Sequence, residues 1–395
     1  MKQIFIISMI LGVALFKFSA ADAHPMPNSV VELVVNDEQL LFDLKLPVQE
    51  FELAFGQKLM DLDADQIMSR YGTEIGKYIQ AHFQVKSKEG VEQYYALEKV
   101  AVDTTSDQIR GKYLEITALI NCPVTTGFNP RDFILDYDVI IHQVANHFAI
   151  VKIKQDFESG LTQEDQSTKL GVIALDIPSD SIKPMHVQLQ EGTRWKGFVS
   201  MFLLGMQHIR VGLDHILFLL TLLLVAPLAF SRGRWSQFKG WKYTVQRFFK
   251  ISFAFTIGHS VALFLGAFNL LHFKGQYIEV LIALSILITA VNAAYPIFAA
   301  KEAGIAALFG VVHGFAFAEA ITSLQLSVSE KLLSILGFNM GIETMQLLIM
   351  MLFFPVILLS RFRFYKAFRI AIACGTGLLA IACAVERTFN LSILL

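Results

Sequence analysis

GMQHIRVGLDHILFLLTLLL, residues 205–224, sets His208, Asp214 and His215 at the head of a long apolar run. Imidazoles and carboxylates are costly in hydrocarbon, and where they occur there they mark an ion path, a relay or a metal site. On a straight helix His208 and His215 fall roughly 20° apart around the axis and about 10.5 Å apart along it. That separation is too large for one ion. Either the helix breaks near Gly212, or the two histidines serve successive positions along a path. Gly205 and Gly212 give the backbone freedom for a kinked or re-entrant entry.

The rest of the chain supports a membrane setting for this stretch. Of 395 residues, 54% are hydrophobic and 17% charged, and the mean hydropathy is +0.52. A soluble chain of this length is more polar. A net charge of −1 argues against nucleic acid, which favours a basic face. Cys122, Cys374 and Cys383 lack C-x2-C spacing and read as isolated thiols. Apolar runs lie at about 211–230, 248–271, 277–299, 303–322, 332–359 and 367–385, each near or above the ~20 residues needed to cross hydrocarbon.

Charge orients these runs. Arg232, Arg234, Lys239, Lys242, Arg247 and Lys250 follow the first, and Arg361, Arg363 and Lys366 precede the last. The positive-inside rule places both segments in the cytoplasm, giving six spans of an inner membrane with both chain ends outside. Residues 1–23 agree with this. They read as a secretory signal, with Lys2, an apolar Ile4–Phe16 and an Ala21-Asp22-Ala23 cleavage site. Cleavage there makes His24 the first residue; an uncleaved anchor is the alternative.

Residues 24–190 alternate in the manner of strands at Val30–Val35, Leu40–Leu46, Lys112–Ile120, Phe133–Ile141, Phe148–Ile153 and Val187–Leu189. The fourth and fifth read as a hairpin. A helix is predicted from Asp63, as N-cap, to about Phe83. Residues 155–184 read as a polar loop or linker. The fold expected is therefore in two parts. An exported, β-rich, sandwich-like domain is followed, over 195–390, by an all-α bundle of about six transmembrane helices.

The bundle's other polar residues extend the opening motif. His259 stands beside Thr256 and Ser260, and His313 lies between Gly310 and Gly314. Asn339, Glu343 and Gln346 share one helical face. His208, Asp214, His215, His259, His313 and Glu343 are the candidate metal ligands, with Asn339, Gln346 and Ser260 as path or supporting groups. Glu279, Asn292 and Glu319 complete the polar set. Imidazole with carboxylate and no sulfur cluster suits borderline divalent ions such as Ni²⁺, Co²⁺ or Zn²⁺. The methionines read as packing. In the exported part, an amine and imidazole on His24 could grip a Cu(II)-like ion with His142, His147 or His82.

His208-x5-Asp214-His215, FTIGHSVAL (255–263), IEVLIALSI (278–286), VVHGFAFA (311–318) and GFNMGIETMQL (337–347) together resemble the HupE/UreJ membrane family, in the branch with a large exported domain. The resemblance covers about 195–385. It implies a nickel or cobalt permease linked to hydrogenase and urease maturation, with His208, Asp214, His215 and His259 at matching polar positions. His313 and Glu343 match the branch's own motifs.

The expected function is thus transport of a divalent metal, nickel or cobalt first, zinc or copper next, with no permanently bound cofactor and no catalysis. The exported domain would capture or guide the ion. An intramembrane zinc hydrolase, and a membrane-anchored receptor or assembly factor for a metalloenzyme, stand as alternatives. Lipid and metal are the expected partners, with a homo-oligomer or a maturation partner left open.

Overall fold

The computed structural model describes residues 28–107, 111–162, 167–271, 273–299 and 301–389. The signal segment and His24 lie outside them. The β-rich part comprises β1 (Ser29–Val35), β2 (Gln39–Pro47), α1 (Val48–Phe55), α2 (Ala64–Ala81), β3 (Phe83–Ser87), β4 (Ala96–Asp107), β5 (Gly111–Pro123), β6 (Asp132–Tyr137), β7 (Phe148–Asp156), β8 (Thr168–Asp176), β9 (Ser181–Ile182) and β10 (Met185–Gln188). One sheet runs β4-β5-β2-β1-β7-β8-β9 and a second β10-β6-β3. Alternating side chains from both meet in one core, where Phe42 of β2 touches Phe83 of β3 and Phe133 of β6 edge-on. Asp63 caps α2 through a capping box with Gln66.

Two expectations for this part are corrected. Residues 133–141 and 148–153 do not form a hairpin. β6 pairs with β3 and β10, whereas β7 lies parallel to β1. The chain leaves β6 through a tight turn with Ile140 at φ 69°. A second correction concerns 155–184, which holds β8 and β9 rather than only a linker. Much of β8 is exposed, so its alternation carries too little apolar contrast to be read.

The helical part comprises α3 (Arg194–Val211), α4 (Leu213–Val225), α5 (Trp241–Ala267), α6 (Gly275–Ala294), α7 (Glu302–Ser323), α8 (Val328–Leu358) and α9 (Tyr365–Phe389). Five of these are long and apolar enough to cross a membrane; α3 and α4, bent by 72°, make a sixth if counted as one broken span. The first span does not continue to residue 230, because Leu228–Ser231 (β11) pairs with Arg234–Phe238 (β12) in a short hairpin. The chain is thus a β-rich domain followed by five or six apolar helices.

Close helix contact is set by glycine. A methyl group at Gly258 would overlap the Ala307 carbonyl, one at Gly310 the Phe255 carbonyl, and α5 and α7 therefore run together in parallel. Gly205 and Gly341 do the same for α3 and α8, against Phe338 and Phe202. Phe157, in a 3-10 turn after β7, is fully buried among the helices and lies against Gly197. Arg131 holds that turn through Asp156 (2.6 Å), while Arg194–Asp37 (2.6 Å) and Asn36 on the Gln325 carbonyl (2.8 Å) fasten the β domain to one end of the bundle.

Gly310→Leu and Gly341→Leu should each abolish the monodisperse size-exclusion peak of the solubilised chain. Gly375→Leu should leave it intact, because nothing lies within 4 Å of that position. Equal behaviour of the three variants would contradict this packing.

Candidate metal centre

The centre is made by the break at Gly212. Its N–H donates to the His208 carbonyl (2.9 Å), ending α3, and its carbonyl accepts from His215 N (3.1 Å), starting α4. A Cβ here would lie 2.8 Å from both the His208 carbonyl oxygen and His215 Nδ1, so the turn has room for glycine alone. The bend folds the two histidines towards each other, to 4.7 Å between ring centroids. Of the two arrangements open to the sequence, the structure has the broken helix.

His259 enters from α5, 6.4 Å from His208 between centroids. One nitrogen each of His208, His215 and His259 lie within 4.8 Å of one another. His313, from α7, stands behind them: its Nδ1 is 3.4 Å from His215 Nε2, and its Nε2 shares a hydrogen bond with Ser285 Oγ (3.0 Å). Phe255, Phe317 and Phe338 wall the group, the last two stacked at 4.1 Å. His208 Nε2, His215 Nδ1 and both nitrogens of His259 are buried without a hydrogen-bond partner. Buried polar atoms are ordinarily paired. One nitrogen from each of three imidazoles, gathered in an apolar box, fits a borderline divalent cation, which would take one lone pair from each ring.

The predicted carboxylates are not in this group. Asp214 points to Arg387 of α9 at 2.7 Å, and Arg387 also donates to the Glu279 carbonyl (3.0 Å). The geometry of the break explains this, since neighbouring positions on a helix diverge by about 100°. Glu343, on α8, faces α5 farther along, accepting from Thr256 (2.8 Å), with Ser252 at 3.5 Å; Ser252 also donates to Gln346 (2.6 Å). Beside them a cavity of about 10 Å³, lined by Ser252, Gln346 and Phe218 among others, has room for about one water. His259, Thr256 and Ser252 thus form one column on α5, leading from the histidines to a carboxylate and an amide.

Asn339 lies beside His259 and donates its Nδ2 to the Ile335 carbonyl of its own helix (2.7 Å). Ser260 turns back to the Thr256 carbonyl (2.7 Å) and so serves its own helix. Asn292 caps residues beyond α6 through Ile297 N (3.1 Å), while Glu279 and Glu319 are exposed. Two functional candidates were not singled out from the sequence. Arg387 lies beyond the apolar run that marks the last span. Arg247 and Glu302, joined at 2.6 Å, look in the sequence like ordinary loop charges. The Asp214–Arg387 pair lies towards the end of the bundle that carries the β domain, and the Arg247–Glu302 pair towards the opposite end.

In the β domain the structure separates the predicted histidines. His147 is buried in the core, with Nε2 against Ser29 Oγ (2.8 Å) and Nδ1 3.6 Å from Glu50, apart from His82 and His142. His142 instead joins His82 and Asp138. Their ligand atoms lie within 4.8 Å of one another, and the two rings stack at 3.9 Å. His82 Nδ1 donates to Asp138 Oδ1 (2.8 Å) and His142 Nδ1 to the Asp138 carbonyl (3.1 Å). Each Nε2 therefore keeps its lone pair, the arrangement that orients histidine ligands in metal sites.

His208→Ala, His215→Ala and His259→Ala should each weaken Ni²⁺ or Co²⁺ binding by at least about tenfold in calorimetry of the purified chain. Asp214→Asn and Glu343→Gln should change it less than about threefold; a larger loss from the carboxylates would overturn the histidine assignment. Burial pushes His147 down to about 4 from an ordinary 6.5. The unfolded chain thus binds a proton that the folded chain refuses, so stability is full above about pH 6.5 and falls as pH drops towards 4. Hydrogen exchange along β1 and β7, corrected for intrinsic rate, should quicken over that window in the native chain and show a flatter response in His147→Gln.

Against known proteins, the family described as HupE / UreJ protein matches residues 184–387, just over half of the chain. That stretch holds α3 to nearly the end of α9, and with it all four clustered histidines and both ion pairs. No curated protein matches the chain, and no solved structure matches it. With the motifs and the apolar helix bundle in agreement, this multi-pass membrane chain belongs to the HupE/UreJ family.

Proposed function

We propose that the chain is a permease for a divalent transition-metal cation, nickel or cobalt in the first place. The observation that carries this reading is the cluster of His208, His215 and His259, each with a ring nitrogen within 4.8 Å of the others, brought together from α3, α4 and α5 inside an apolar bundle. A site for a resident structural ion would be expected to close with four strong ligands. Here three imidazoles leave a coordination position open, and the column through Thr256 and Ser252 to Glu343 and Gln346 offers the next oxygen ligands.

In this mechanism a cation arrives from the side of the β domain, outside the cytoplasm, and the Asp214–Arg387 pair parts to admit it. The imidazoles replace its water. Glu343 neutralises its charge at the next position, and release requires the Arg247–Glu302 pair to open. His82, Asp138 and His142 serve as the capture point in the β domain. No G-x4-G-K-[ST] nucleotide motif occurs in the sequence, so the driving force would be an ion gradient or a partner subunit.

A zinc hydrolase would use the same three histidines but needs a general base at the metal-bound water. Asp214 and Glu343 are both engaged elsewhere, which favours transport. Vesicles containing the purified chain should take up Ni²⁺ or Co²⁺ in preference to Zn²⁺ and Cu²⁺, and His215→Ala should lose most of the flux. If no ion moves with or without a proton gradient, the permease reading fails and a receptor role gains. His82→Ala should remove one of two bound equivalents and raise the half-saturating concentration, while flux at saturating metal stays unchanged; an unaltered stoichiometry would refute the capture point.

A further inference from the structure

At the end of the bundle remote from the β domain, a cleft of about 510 Å³ opens between the β11–β12 hairpin, the 3-10 turn Leu359–Arg361 and the start of α9. Arg369 lines it and is 4% exposed, with Nε and Nη1 both lacking a partner. Ser360, 8% exposed, lines the same cleft with an unpaired Oγ. Arg361, Arg363 and Lys366 stand around them, and no Asp or Glu is among the lining residues. Tyr365, one turn before Arg369, gives its hydroxyl to the Leu224 carbonyl (2.8 Å). Arg361 is stacked over Phe238 and Trp241. Arg369 is thus a buried guanidinium among other cations.

A buried charge without a counter-charge is strongly destabilising. The guanidinium fork matches the oxygens of a phosphate, and a serine hydroxyl adds a further donor. Leu228, Trp235, Phe238 and Phe362 give the cleft apolar walls, which suit an acyl chain better than a free anion. Basic pockets at the cytoplasmic ends of membrane helices are where lipid phosphates are held. We propose that this cleft binds the phosphate of an anionic phospholipid, with Arg369 and Ser360 as its buried donors and Arg363 and Lys366 as the rim. Bound there, the lipid ties the α4–α5 hairpin to α9, close to the inner ion pair through Trp235, over which Arg247 lies at 5.0 Å.

The test uses the full chain in a neutral detergent, titrated in parallel with short-chain phosphatidylglycerol, short-chain phosphatidylcholine and inorganic phosphate at constant ionic strength. Phosphatidylglycerol should raise the unfolding temperature saturably by roughly 3 °C or more, and phosphatidylcholine should not. A rise with inorganic phosphate of the same size would keep the anion site but assign it to a free phosphate. Arg369→Met should fold and lose the response, and Ser360→Ala with Lys366→Gln should shift its midpoint to higher lipid. A native-like response in Arg369→Met, or no response of the native chain to either anion, overturns the proposal.

Discussion

The helix break at Gly212 is the constraint on which the rest of the site depends. A continuous helix would hold His208 and His215 two turns apart, unable to share an ion. The 72° bend brings their rings together and at the same time turns Asp214 outward to Arg387. One glycine thus divides the motif into a clustered histidine pair and an aspartate paired with Arg387. The break leaves backbone groups without helical partners, and the Gly212 amide and carbonyl supply part of the replacement by bonding across the turn.

Holding a third and fourth histidine against that break requires helices that approach more closely than side chains normally allow. Gly258, Gly310 and Gly314 bring α7 against α5, and Gly205 and Gly341 bring α8 against α3. With lipid tails as apolar as the helices themselves, such contact stabilises by packing rather than by burial from water.

The polar groups are graded along the bundle. At the β-domain end the Asp214–Arg387 pair joins α4 to α9, and at the other end Arg247–Glu302 joins α5 to α7. Both pairs cross between helices, and each compensates charge that would otherwise be expensive in an apolar setting. Between them, among the described residues, lie the four imidazoles, the hydroxyls of Thr256 and Ser252, the amides of Asn339 and Gln346, and Glu343. The β domain is fixed to this column through Phe157, whose ring sits in the helix core, so movement of α3 and movement of the domain are mechanically linked.

Much was legible from local pattern. Apolar length located the spans, the capping signal at Asp63 located α2, and the cost of imidazole in hydrocarbon singled out His208, His215, His259 and His313. Motif spacing resembled the family whose match now covers residues 184–387. What the sequence could not settle was direction and partnership. Asp214 and His215 are adjacent in the chain yet face different partners, because successive helical positions diverge. His142 and His147 looked equivalent, but one pairs with His82 and Asp138 while the other is sealed under Ser29. Arg387, Arg247 and Glu302 acquire meaning only from helices brought together across long sequence separations. Chain chemistry determines which groups need a partner; only tertiary packing decides which partner each one finds.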